Sequence, residues 1–163
     1  MDLLAISDAI ADLPVSVYLG GVSWFVPMVQ SVHILGVALA FTSATLISWH
    51  FFVLANMSES AVQFSRRFLP WIYFSLLILF LSGSLLVLIE PHRELLNWYF
   101  NVKMFLVSAF LILITFGIRE FSVVGWSIFT KGSPRFISQV FGVSLVGFLL
   151  AIIWCGRWIA YTQ

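Results

Sequence analysis

Charged residues are scarce in this chain. Only 9% of its 163 residues are charged, whereas 61% are hydrophobic, and the mean hydropathy is +1.06. A soluble domain has about 25% charged residues. The chain therefore lacks the polar side chains that a water-facing surface needs, which excludes a soluble globular domain and predicts lipid as the solvent. A net charge of +1 without a basic run gives no indication of nucleic-acid binding.

Cysteine is almost absent as well. The single Cys155 lies in an apolar setting, which excludes an internal disulfide and any metal site built from several cysteines. We interpret it as a small hydrophobic residue of the last helix. The N-terminus is acidic where a secretory signal would be basic, so we expect it to be retained.

Apolar residues recur at helical spacing near the N-terminus, at Leu3, Ile6, Ile10 and Leu13. This pattern predicts a short amphipathic helix at about residues 2–13, which lies in the membrane interface and is ended by Pro14.

Four long apolar stretches follow. A membrane-spanning helix needs about 20 predominantly apolar residues, and the predicted spans are at about 27–55, 68–89, 102–118 and 136–161. In the second span we expect Pro70 in the first turn, where a missing N–H costs little, and Glu90-Pro91 closes the helix. The apolar segment 121–130 is too short to span and is predicted to be interfacial. The sequence thus predicts an all-α integral membrane four-helix bundle, a single four-span domain over residues 1–163.

The basic residues predict the orientation. The helix ends that join spans one to two and three to four carry Arg66, Arg67, Arg119, Lys131 and Arg135. The opposite ends carry Arg93, Lys103 and Arg157. Because basic residues are enriched on the cytoplasmic side, we expect a bacterial inner-membrane protein with both termini in the periplasm.

Polar residues collect at the span ends on the side of the termini. His33 precedes Gly36 by one turn in a stripe of small residues, so it should point into the bundle, and an ionisable side chain within a span is often functional. Glu90 falls on the small, polar face of the second helix and could pair with Arg157 or Lys103. These positions predict a polar pocket near the periplasmic face, formed by His33, Glu90, Asn101, Lys103 and Arg157.

The sequence leaves three alternative ligands for this pocket: haem b, a quinone and copper. Haem b needs a second axial ligand opposite His33, and Met104 or Lys103 is the candidate. A quinone could use His33, with Lys103 and Arg157 binding a carbonyl. Copper could be bound by His33, His92 and Met104, although a mononuclear site normally needs three or four well-placed ligands.

Several short motifs carry a family resemblance: Trp24-Phe25-Val26-Pro27, Ser31-Val32-His33-Ile34-Leu35-Gly36, Arg66-Arg67-Phe68-Leu69-Pro70-Trp71, Ser82-Gly83-Ser84, Asn101-Val102-Lys103-Met104 and Gly156-Arg157-Trp158-Ile159-Ala160-Tyr161. Together they resemble an uncharacterised bacterial family of four-helix inner-membrane proteins, distantly similar to the membrane part of copper-resistance D-type proteins.

The resemblance implies a bundle whose characteristic polar positions are His33, Arg66, Arg67, Asn101, Lys103 and Arg157. Many members of that family carry a further histidine near the end of the third helix. This chain has Thr115-Phe116-Gly117-Ile118 there, which weakens the case for a haem or metal site made of two histidines.

The functional prediction is a non-catalytic accessory or anchor subunit of a redox or metal-handling membrane assembly. No nucleophile–base pair, phosphate loop or paired carboxylate supports a catalytic activity of its own. The expected partners are membrane lipids and either other membrane subunits or further copies of the chain. The alternatives are a small electron-transfer protein that binds haem b or a quinone through His33, and a copper-handling membrane protein.

Overall fold

A computed structural model of the chain describes residues 3–53, 59–123, 134–159 and 161. Within these residues every regular element is a helix and there is no strand. In chain order the helices are α1 (Leu3–Ala11), α2 (Pro14–Gly20), α3 (Phe25–Val53), α4 (Glu59–Ile89), α5 (Pro91–Leu95), α6 (Trp98–Val123) and α7 (Pro134–Ile159).

Four of these helices are long and apolar enough to cross a membrane. The candidate spans are Phe25–Phe52 in α3, Gln63–Ile89 in α4, Trp98–Gly117 in α6 and Gln139–Ile159 in α7. They correspond one to one with the four predicted spans, so the prediction of an all-α, four-helix membrane bundle is confirmed.

The observed helix ends differ from the predicted ends of the spans mainly at the end of the bundle where Arg66 lies. Helix α4 begins at Glu59 rather than near Phe68, so Pro70 lies inside the helix and not in its first turn. The polar residues before Phe68 continue the helix beyond its apolar part, which hydropathy alone does not reveal. Helix α6 continues to Val123. The segment predicted to be interfacial is therefore helical over 121–123, and 124–130 lie outside the described residues.

The N-terminal segment contains two helices rather than one. Helix α1 ends at Ala11, and Pro14 begins α2 at an angle of 70° to it, so the expectation that Pro14 only ends a helix is wrong. Proline suits the first position of a helix because its fixed φ is already helical and its missing N–H has no partner there. Helix α1 packs against α5, and α2 packs against α4. By length and composition the bent pair could also form one broken span.

The four long helices do not contact one another equally. Helix α3 packs extensively on α4 and on α7, and α7 packs on α6, whereas α4 and α6 meet over a short stretch only. The bundle is therefore less closed between α4 and α6 than along its other sides.

The apolar core occupies one half of the bundle, away from α1, α2 and α5. Its buried members come from the second half of α3, the first half of α4 and the middle parts of α6 and α7: Ala44, Ile47, Phe51, Ile72, Phe110, Ile114, Phe141, Leu145 and Leu149. Both halves bury polar side chains: Ser43, Ser48, Ser65 and Ser75 lie on the side of the apolar core, and Ser7, Ser16, Ser82 and Asn97 lie in the opposite half. The half-buried ionisable side chains of His33, Glu94 and Lys103 lie at the end of the bundle where the short helices pack.

Glycine allows the closest contacts between the long helices. A Cβ atom on Gly36 of α3 would lie 3.1 Å from Ile78 and 3.2 Å from Leu79 of α4. On the other side of α3, Ser48 donates a buried hydrogen bond of 2.7 Å to the Gly142 carbonyl of α7. Small residues at helix contacts let backbones approach, which is how membrane helices gain packing energy without a hydrophobic driving force.

Candidate functional site

A group of polar side chains lies in the half of the bundle opposite the apolar core. It comprises His33 of α3, Ser82 of α4, Glu94 of α5 and Lys103 of α6, and we call it the polar cluster. His33 Nδ1 is 2.8 Å from Ser82 Oγ. The small-residue stripe of α3 faces α4, as the contacts of Gly36 show. His33 is half-buried, as expected for a side chain at the edge of this seam.

Ser82 links His33 to the backbone of α4. Its hydroxyl lies 2.7 Å from the Ile78 carbonyl, inside α4, and 2.8 Å from His33 Nδ1. The tautomer of His33 decides whether Nδ1 donates to Ser82 Oγ or accepts from it.

Lys103 and Glu94 approach the cluster from α6 and α5. The Lys103 ammonium interacts electrostatically with His33, Glu94 and Cys155. It is half-buried, and among the residues that the structure describes it makes no ion pair within 4.0 Å. Burial raises the pKa of the Glu94 carboxyl, and the charges of Lys103 and Arg93 oppose that shift.

Two members of the predicted pocket have other partners. Glu90 accepts a hydrogen bond and ion pair of 2.5 Å from Arg93, one turn later in the chain. Arg157 is exposed, donates to the Tyr161 hydroxyl at 2.5 Å and lies over its ring. The expected pairing of Glu90 with Arg157 or Lys103 is therefore wrong. Each charge finds a nearer partner within its own helix or turn, and Glu94 takes the place beside Lys103.

Asn101, the remaining member of the predicted pocket, is exposed on α6. Its spacing of seven places it on the same face as Ser108 and Thr115. Ser108 is exposed too, and Thr115 hydrogen-bonds to the Tyr73 hydroxyl of α4 at 2.9 Å. This polar stripe therefore runs along the side of α6 next to the short contact with α4.

The candidate ligands His33 and His92 have different hydrogen-bond partners. His92 lies on α5, where its Nδ1 is 2.9 Å from Ser7 Oγ and its Nε2 is 3.5 Å from Asp8. Met104 is 46% exposed. No group of three or more histidine, cysteine, aspartate or glutamate side chains within the described ranges could hold a metal ion.

The sequence reasoning missed Glu94 and the role of Ser82. A signal existed for Glu94, because it follows Glu90 by four residues and comes shortly before the start of α6 in the sequence. The turn through Pro91 that brings it there is not apparent from hydropathy. For Cys155 the reading as a small buried residue agrees with the structure, but its position near Lys103 could not be foreseen.

Comparison of the chain with family models, curated proteins and solved structures found no match. The resemblance to a family of four-helix membrane proteins stays a prediction.

Proposed function

We propose that this chain is a non-catalytic membrane subunit that anchors or completes a larger assembly, and that it contacts its partner through the side formed by α4 and α6. The observation that carries the proposal is the incomplete contact between these two helices. A transmembrane helix of another subunit would fill this side.

The side chains on this side favour a protein partner over lipid. Asn101 and Ser108 are exposed there within the span Trp98–Gly117. Lipid tails offer no hydrogen bonds, whereas neighbouring helices commonly bond through such amide and hydroxyl groups, at about 0.6–2 kcal/mol each. A partner helix would also cover large apolar side chains, such as Phe80 at 67% exposed.

The proposal includes a location. The described basic residues Arg66 and Arg67 lie exposed at the end of α4 away from the polar cluster. With the sequence positions of Arg119, Lys131 and Arg135, they favour the cytoplasm for that end. We therefore propose a bacterial inner-membrane protein with both termini in the periplasm.

Purification in mild detergent tests the anchor function. We expect the tagged wild-type chain to co-purify with another membrane protein in stoichiometric amount. The double variant Asn101→Leu/Ser108→Leu should lose that partner and remain folded, because both side chains are exposed. Thr42→Leu is the matched control, since Thr42 is an exposed hydroxyl on α3 that bonds within its own helix, as Ser108 does on α6. A wild-type chain that purifies alone, or only with copies of itself, would contradict the proposal.

A further inference from the structure

We infer that Arg157 binds the phosphate of an anionic phospholipid, at the end of the bundle where α6 begins and α7 ends. This site goes beyond the anchor function and does not require a partner subunit. The inference rests on a group of aromatic side chains at this end, and on a guanidinium among them that has no carboxylate partner in the part of the chain that the structure describes.

The aromatic side chains form one connected group, which we call the aromatic cluster. It comprises Trp98 and Tyr99 of α6, Trp154 and Trp158 of α7, and Tyr161. Tyr99 and Trp158 stack across the two helices with ring centroids 6.2 Å apart. Trp98 adjoins Tyr99 at 6.0 Å, and Trp154 and Tyr161 adjoin Trp158 at 5.9 and 6.4 Å. These contacts bring the start of α6 and the end of α7 to one level of the bundle.

This level is the boundary of the apolar part of the bundle. The candidate span Trp98–Gly117 begins here, and the candidate span Gln139–Ile159 ends here. Trp and Tyr are enriched where hydrocarbon meets the lipid head groups, because their rings are apolar on one side and form hydrogen bonds on the other. Trp98, Trp154 and Tyr161 are 70%, 64% and 62% exposed. The aromatic cluster therefore suits contact with lipid at the depth of the head groups.

Arg157 is oriented by a member of the aromatic cluster. Its Nη2 donates to Tyr161 Oη at 2.5 Å, and its Cζ lies 4.8 Å from the centroid of the same ring. A guanidinium has five N–H donors, and within the described ranges Arg157 has no other hydrogen-bond partner and no carboxylate within 4.0 Å. An exposed, oriented cation therefore has several donors left for a ligand.

The chemistry of the guanidinium favours phosphate. Its planar fork of donors matches two oxygens of one phosphate, and such charge-assisted hydrogen bonds are stronger than neutral ones. At the depth of the head groups, phosphate is the acceptor that every phospholipid offers. A head group with a net negative charge also attracts a basic side chain, whereas the choline of phosphatidylcholine offsets its phosphate. We therefore expect Arg157 to prefer an anionic phospholipid, whose acyl chains can lie along the exposed rings.

Competition for a labelled lipid tests the inference. The full chain is immobilised in an uncharged detergent and loaded with radiolabelled phosphatidylglycerol. Unlabelled phosphatidylglycerol, phosphatidylcholine with the same acyl chains, and inorganic phosphate then compete at constant ionic strength. We expect phosphatidylglycerol to bind about fivefold more tightly than phosphatidylcholine, the contribution of one basic residue at an anionic surface. Inorganic phosphate should not displace the label, because it lacks the acyl chains. Equal affinity for the two lipids, or displacement by inorganic phosphate, would overturn the assignment.

Variants separate a specific site from the effect of net charge. Arg157→Gln should remove the preference for phosphatidylglycerol. Arg157→Lys keeps the charge without the planar fork, so the preference should fall to about twofold, and this variant carries the test if Arg157→Gln does not fold. Tyr161→Phe keeps the ring but removes the hydroxyl that orients the guanidinium, and it should also lower the preference to about twofold.

Arg67→Gln is the matched control. Arg67 is an exposed arginine on α4 at the opposite end of the bundle, and among the described residues it lies over no aromatic ring. This variant loses the same charge as Arg157→Gln, and it should keep the fivefold preference of the wild type. Equal losses of preference in Arg67→Gln and Arg157→Gln would mean that net charge alone attracts the lipid, and the site at Arg157 would then be wrong.

Discussion

His33 of α3 and Ser82 of α4 form a hydrogen bond of 2.8 Å at one end of the seam between the two helices. Gly36 meets Leu79 further along the seam, and His50 stacks on Phe64 at its other end. The residue numbers rise on α3 as they fall on α4, as antiparallel packing requires. The polar contact of His33 is therefore set by the same register that fits Gly36 against α4.

The close approach at Gly36 leads to a prediction about stability. Gly36→Leu should lower the free energy of unfolding in detergent by about 1–3 kcal/mol, because a larger side chain must displace Ile78 and Leu79. Thermal unfolding measures the change. Gly147→Leu is the matched control on α7, since a Cβ atom on Gly147 would meet nothing within 4 Å. Equal effects of the two variants would contradict the tight seam.

The seam could be predicted from the sequence because its cause is local. Gly36, Ala40 and Ala44 are spaced by four, so they share a face of one helix whatever surrounds it. In the structure both alanines are buried, at 1% and 0% exposed. The side chain of His33, one turn away, follows the same face.

The charge pairs could not be predicted in this way. Whether Glu90 pairs with Arg157 or with Arg93 depends on the rotation of each helix and on the turn after Ile89. Sequence spacing gives depth in the membrane but not this rotation. The short helix α5 adds contacts of its own, because it brings Glu94 close enough to Lys103 for the two charges to interact.

Glu94 leads to a prediction about pH. Burial raises the pKa of its carboxyl in the folded chain, so the folded state holds this proton more tightly than the unfolded state. The corresponding stability is fully present below the ordinary carboxyl pKa and is lost as the pH rises through the raised value. Glu94→Gln should therefore remove part of the decline in stability on the alkaline side of the ordinary glutamate range. Thermal unfolding measured across pH checks this.

The control for Glu94 is Asp12→Asn, which changes an exposed carboxyl between α1 and α2. In this variant, thermal stability should depend on pH as it does in the wild type. A profile that Glu94→Gln does not alter would show that the carboxyl is not buried in the folded chain.

The contact between α1 and α5 leads to a prediction about local dynamics. Ser7 Oγ and His92 Nδ1 form a hydrogen bond of 2.9 Å, and Asp8 lies 3.5 Å from the other ring nitrogen. His92→Ala should weaken the docking of α1 by ~1 kcal/mol, the typical value of one hydrogen bond. Amide hydrogen exchange at 7–11 should then be faster by about fivefold, since exchange there follows local opening.

The same measurement on α3, α4 and α7 should show no change in His92→Ala, because α1 packs on α5 and not within the apolar core. His50→Ala is the control, since it removes an imidazole at the opposite end of the bundle, where it stacks on Phe64. It should leave the exchange of α1 unaltered. Faster exchange throughout the bundle in His92→Ala would mean that α1 opens only with global unfolding, and the separate docking contact of Ser7 and His92 would then be wrong.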